Sequence, residues 1–227
     1  MFKRLLCAAL ACAFVLAPLR AADQPPPDPT IEPPNLNAHK QQLKAYIDSG
    51  GYANGVAKVS LEAVKYLQKR IPKGAKGKKM AVVFDIDETA LSNMSHILEH
   101  DFGYVPKDWN AWIAAGHAPA IVPVQTIYDV AVKLKVDVIF ITGRPETDRA
   151  STERNLREVG YETWTKIYFM PTSDVTQTMA GFKTEVRRQL TKDGYAIIAN
   201  IGDQNSDLVN GYAERIFKLP NPFYISR

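Results

Sequence analysis

Asp85 and Asp87 stand two residues apart at the end of an apolar run, in the stretch MAVVFDIDETALSN (80–93). Period-two strand geometry puts both carboxylates on one side of the chain. Two carboxylates aimed into one crevice repel unless a cation lies between them or one keeps a proton. Three further clusters carry matching chemistry: Thr142-Gly143-Arg144, Lys183 in GFKTEVRRQL, and Gly202-Asp203-x-x-x-Asp207. Together they suit phosphoryl transfer. Asp85 can attack phosphorus as a carboxylate nucleophile. Asp87 can protonate the leaving oxygen and later deprotonate water. Asp85 and Asp203 offer the hard oxygens that Mg²⁺ prefers. Thr142 and the backbone N–H groups around Gly143 can hold phosphoryl oxygens, and Lys183 adds positive charge there. Asp207 can orient Lys183 or a metal-bound water.

These residues need a scaffold that gathers strand ends. The run before Asp85 is apolar without alternation, as in a strand covered on both faces of a parallel sheet. Similar strands are expected at Val136–Thr142, Ile167–Met170, Ala196–Ile201 and, shorter, Arg215–Leu219. Helices are expected between them, at Val124–Lys135, Glu146–Val159, Phe182–Lys192 and Ser206–Tyr212. Strands alternating with helices predict an α/β fold, a parallel five-stranded sheet with helices on both faces. Open sheets of this kind place their ligand crevice at the carboxyl ends of the strands. Residues 36–72 read as an N-terminal helical segment, broken at Ser49-Gly50-Gly51. Residues 90–122 read as a small cap-like insert after the first strand. Lys73–Lys79 (KGAKGKK) is read as a solvated loop feeding that strand.

The chain starts with Lys3 and Arg4, an apolar block from Leu5 to Leu16, and then small residues, the plan of a secretory signal peptide over residues 1–22. Residues 23–35, with PPPDPTIEPPN, read as an extended proline-rich linker ahead of a domain at 36–227. Both cysteines, Cys7 and Cys12, lie in the signal. The mature chain therefore has no thiol, which excludes a cysteine nucleophile. Loss of Lys3, Arg4 and Arg20 leaves 25 basic against 24 acidic residues and a net charge of +1 instead of +4. That balance gives no support for a nucleic-acid polymer as partner. No later run is long and apolar enough for a membrane span in the mature form. A periplasmic or secreted location is expected.

The motifs VVFDIDETALSN, IFITGR, NLREVGYETW, GDQNSDL and FKLPNPFY resemble the acid phosphatases of the haloacid dehalogenase (HAD) superfamily, subfamily IIIB. That group includes plant vegetative storage proteins and bacterial secreted acid phosphatases. The resemblance spans roughly Asn35 to Ile225. It implies a Rossmann-like HAD core, Mg²⁺ as cofactor and hydrolysis of a small-molecule phosphomonoester. Residue by residue, it matches Asp85 to the nucleophile and Asp87 to the acid/base, whose backbone carbonyl also ligates the metal. It matches Thr142 and Lys183 to phosphate binders and Asp203 to the remaining metal ligand. Some storage proteins of this kind have lost the nucleophile; this chain keeps it. A phosphotransferase and a non-catalytic phosphate-binding or storage protein of the same fold are the alternatives.

Competing readings concern four places. Arg187 and Arg188 rival Lys183 as the basic group. Arg144 is either a phosphate contact or a surface turn residue. His96-Ile-Leu-Glu99-His100 matches the HxxEH pattern of zinc peptidases. The segment is short and interrupted at Phe102-Gly103, so surface histidines are expected. Trp109 and Trp112, with Phe102 and Tyr104, are either core or a wall for an aryl or nucleoside leaving group.

Overall fold

The computed structural model describes residues 32–172 and 178–226. The expected signal, residues 1–22, lies outside the described residues, as does the linker 23–35 apart from its last four residues. Two helices come first, α1 (Leu36–Asp48) and α2 (Gly51–Arg70). Gly50, at φ 77°, makes the left-handed turn between them, a conformation that costs glycine least. Strand β1 (Lys79–Phe84) follows, then the short helices α3 (Met94–Glu99) and α4 (Pro106–Ala115). The remaining elements alternate: α5 (Val122–Lys133), β2 (Asp137–Pro145), α6 (Arg149–Glu158), β3 (Lys166–Met170), α7 (Met179–Lys192), β4 (Tyr195–Gly202), α8 (Asn205–Leu208) and β5 (Ile216–Lys218). No described helix is long and apolar enough to cross a membrane.

All five strands are parallel, in the order β3-β2-β1-β4-β5. Alternation sends Val82 and Phe84 of β1, with Val138 and Phe140 of β2, into one buried cluster shared with Val56, Leu67, Val124 and Ile127 of α2 and α5. It sends Ala81, Val83, Ile139 and Ile141 to the other face, against Phe182, Val186 and Leu190 of α7. Both faces are dry, which is why the strands read as unbroken apolar runs. Each fully buried Phe or Ile contributes about 1.5–3 kcal/mol through loss of apolar surface to water.

The chain winds outward from β1 to β2 and β3, then returns to lay β4 on the other side of β1. Their carboxyl ends therefore form a topological switch point, where a crevice opens. The N–H of Asp85 donates to the Ile201 carbonyl at 3.0 Å, fixing the ends of β1 and β4 together. Two local expectations change. Strand β2 runs on through Thr142-Gly143-Arg144 to Pro145, so this cluster lies within the strand's last residues. The helix expected at Ser206–Tyr212 stops at Leu208, because Asn210, Gly211 and Tyr212 all take positive φ, which no helix tolerates.

Candidate active site

Asp85 directly follows β1, and Asp203 directly follows β4. Lys183 lies one turn into α7, whose first turn is capped by Thr178 Oγ1 accepting from Gly181 N at 3.1 Å. Its Nζ donates to Asp85 Oδ1 at 2.5 Å and to Asp207 Oδ1 at 2.7 Å. One oxygen from each of Asp85, Asp203 and Asp207 lies within 4.8 Å of the others. Gly202 makes this crowding possible: a Cβ there would meet Asp207 Cβ and Oδ2 at 2.5 Å. Asp207 Oδ2 accepts from Gln204 N at 2.8 Å. Asp203 is held by Thr89 Oγ1 at 3.1 Å, Gln204 Nε2 at 2.8 Å and Asn221 Nδ2 at 2.7 Å.

Burial, with Asp207 and Asp203 alongside, pushes Asp85 well above the ordinary carboxylate range, and Lys183 opposes this only in part. Burial and Asp207 raise Asp203 too. Burial works against the Lys183 charge, yet the carboxylates of Asp85 and Asp207 hold its pKa above the usual lysine value. Three buried carboxylates against one ammonium leave an excess of negative charge on hard oxygens. That donor set can hold a divalent metal ion.

Asp87 has a different environment. Its carboxylate pairs with Arg144, whose Nη2 lies 2.7 Å from Oδ1 and whose Nε contacts both oxygens at 3.1–3.2 Å. Burial pushes Asp87 up, but the Arg144 charge and hydrogen bonds outweigh it and hold the carboxyl below 3.8. Arg144 is itself buried and bonds Thr152 Oγ1 at 2.9 Å, so the surface-turn reading fails. The acidic trio thus joins Asp207 to Asp85 and Asp203, while the Asp87 side chain turns to Arg144. Gly143 lines the cavity. Thr142 is fully buried, and its hydroxyl accepts from Arg144 N at 3.1 Å.

Among the basic rivals, Lys183 alone reaches the carboxylates. Arg187 is buried and clamps the chain after α8, donating to the Asp207, Val209 and Gly211 carbonyls. Arg188 pairs with Glu185 on the surface.

The cavity above these groups measures about 690 Å³. Its floor holds Asp85, Asp87, Arg144, Lys183, Asp203 and Asp207, and its walls include Phe102, Tyr104, Trp109 and Phe223. His96 also lines it and is buried, stacked on Trp112 with ring centroids 5.6 Å apart. The expectation of a surface histidine fails there because α3 packs onto α4. Residues 223–226 form a further wall, to which the sequence reading gave no site role although the FKLPNPFY motif runs into it. Gln204 ties it down, with Nε2 3.4 Å from the Tyr224 carbonyl and Oε1 accepting from Ser226 N at 3.3 Å.

Glu88 is fully buried and has a φ of 51°. It accepts from Asn93 N and Tyr224 OH, both at 2.6 Å. Burial, reinforced by Asp87, pushes its pKa from the ordinary 4.5 up to about 8. Between those values the folded chain holds a proton that the unfolded chain releases, so this group costs stability as pH rises, by about 1.4 kcal/mol per pH unit. Glu88→Gln removes that dependence. Denaturant midpoints should therefore shift in the variant's favour as pH climbs from about 5 to about 8. Parallel curves for the two proteins would count against it.

The family model described as HAD superfamily, subfamily IIIB (Acid phosphatase), matches residues 32–227. Acid phosphatase 1 of Solanum lycopersicum is 34% identical over 186 residues, covering 80% of this chain and 72% of that protein. Vegetative storage protein 1 of Arabidopsis thaliana is 34% identical over 147 residues, covering 63% of this chain and 54% of that protein. Among solved structures, the class C acid phosphatase from Bacillus anthracis superposes with a TM-score of 0.68 at 25% identity, covering 82% of this chain and 85% of that one. With a parallel five-stranded sheet and an acidic site at its switch point already in view, these matches place the chain in subfamily IIIB of the HAD superfamily, among the acid phosphatases, which are phosphoric monoester hydrolases.

Proposed function

We propose that this is an exported, Mg²⁺-dependent acid phosphatase that hydrolyses small phosphomonoesters through an aspartyl-phosphate on Asp85. The observation that carries the reading is the meeting of Asp85, Lys183, Asp203 and Asp207 in one buried cluster at the carboxyl ends of β1 and β4. An Asp85 oxygen attacks phosphorus and the P–O bond to the leaving group breaks. Asp87 gives its proton to the departing oxygen, which leaves as an alcohol or phenol. The Asp87 carboxylate then takes a proton from water as the water oxygen attacks phosphorus, releasing phosphate and restoring Asp85. Arg144 keeps Asp87 ionised in the free site; a phosphate dianion arriving beside it raises its pKa and equips it as an acid. Thr142, the Gly143 backbone and Lys183 bind the phosphoryl oxygens.

Asp85, Asp203 and the Asp87 main-chain carbonyl would hold the Mg²⁺, with Asp207 acting through Lys183 or a bound water. The ion, when bound, neutralises carboxylate and phosphoryl charge. The aromatic wall suits an aryl or nucleoside leaving group. Export rests on residues 1–22 of the sequence. Dialysis against a chelator should lower hydrolysis of an aryl phosphate by more than about ten-fold, with recovery on adding Mg²⁺. Full turnover in chelator would remove the metal from this reading.

A further inference from the structure

Asn93 is fully buried and lies six residues beyond Asp87, on no strand or helix. Its side chain makes three contacts. Trp112 Nε1 donates to Oδ1 at 2.8 Å, and Nδ2 lies 2.8 Å from Asp87 Oδ1 and 3.2 Å from Glu88 Oε2. An indole nitrogen can only donate, so the Asn93 atom facing Trp112 must be the oxygen. The amide nitrogen is thereby turned to the carboxylates. Trp112 belongs to α4 in the insert, and its ring is fixed by stacking on His96.

The two oxygens of Asp87 are unequally served. Oδ1 takes Asn93 Nδ2 at 2.8 Å, Arg144 Nη2 at 2.7 Å and Arg144 Nε at 3.2 Å. Among the described residues, Oδ2 takes only Arg144 Nε, at 3.1 Å. Arg144 Nε carries one hydrogen, shared between the two oxygens, so the two lone pairs of Oδ1 are filled by Asn93 Nδ2 and Arg144 Nη2, leaving it no place for a proton. Oδ2 keeps one.

We propose that Asn93 is a positioning residue for proton transfer: with Arg144 it saturates Oδ1 of Asp87, so that Oδ2 carries the transferable proton, and Trp112 holds Asn93 in the orientation that does this. The inference rests on the acid/base role proposed above for Asp87. The proton on Oδ2 passes to the ester oxygen as its bond to phosphorus breaks, and the same oxygen takes the proton of the attacking water. Without the Asn93 amide, Oδ1 can accept the proton too. The acid is then divided between two oxygens, and misplacement of a reacting group on this scale is costly.

The test compares two substrates that differ in their need for an acid. A nitrophenyl phosphate has a leaving group stable enough to depart as an anion; an alkyl phosphate does not. The quantity measured is kcat/KM, which reports the step that breaks the ester bond. In Asn93→Ala it should fall about ten- to hundred-fold for the alkyl ester and less than about three-fold for the nitrophenyl ester. The inhibition constant of inorganic phosphate should stay unchanged. Trp112→Phe, which keeps an aromatic ring and removes only the N–H, should show the same ordering to a smaller degree. The double variant should be no worse than Asn93→Ala, because Trp112 acts through Asn93. Asp87→Asn is the reference and should discriminate more steeply than either. Equal losses on both esters in Asn93→Ala or Trp112→Phe, with Asp87→Asn discriminating, would overturn the inference and leave the acid role standing. If Asp87→Asn fails to discriminate, the acid role falls and takes this inference with it. Trp112→Phe keeps the question decidable if Asn93→Ala does not fold.

Discussion

Asp85→Asn is expected to lower hydrolysis of an aryl phosphate by about 10⁴- to 10⁶-fold, the scale seen when an enzyme loses its nucleophile. Asparagine matches the shape of aspartate, so the turn after β1 and its N–H bond to Ile201 should persist. The amide cannot form the acyl-phosphate. Stability should change little, for two opposing reasons. The variant loses a buried contact with Lys183, but Lys183 keeps its partner Asp207 at 2.7 Å. It also loses a carboxylate whose ionised form is disfavoured by burial and by its acidic neighbours. Initial rates, read beside a denaturant midpoint, separate the two effects. A variant that folds and turns over at the parent's rate would show that the nucleophile lies elsewhere.

Lys183→Met should damage both function and fold. Its ammonium is the only described cation within hydrogen-bonding distance of the Asp85 and Asp207 side-chain carboxylates. Methionine fills a similar volume and leaves both carboxylates buried without a counter-charge, Asp207 keeping its bond from Gln204 N. Breaking a buried pair from one side costs about 3–5 kcal/mol, because the remaining charge has no compensation. Loss of the cation facing the phosphoryl group should also lower kcat by about 10²- to 10³-fold. Added Mg²⁺ should recover part of the stability, since a divalent ion supplies the missing positive charge, and little of the rate. An unchanged unfolding midpoint would mean that Lys183 does not neutralise this cluster.

Phe102, Tyr104, Trp109 and His96 come from the insert, and Phe223 comes from the segment after β5. Under the function proposed above, the floor acts on phosphorus and the wall meets the leaving group.

Part of the acidic floor was readable in the chain because Asp85 and Asp203 follow buried strands directly. An apolar run of five or six residues can be covered on both sides only in a sheet with helices on both faces, and right-handed crossovers leave few ways to order such strands. Once β1 and β4 are neighbours, Asp85 and Asp203 must be neighbours too, although 118 positions separate their numbers. Side-chain pairing carries no such periodic signature. Nothing in the spacing of Asp87, Asn93 and Arg144 says that they share hydrogen bonds, that Arg187 serves the chain beyond α8, or that His96 is covered. The segment from Asn221 to Ser226 likewise has no strand or helix pattern, yet it reaches Gln204, Asp203 and Glu88. Such contacts are set by how helices and loops settle on the finished sheet, where each buried polar group must find a partner. Local sequence thus determined which residues crowd the switch point, and tertiary packing decided which of them bond to one another.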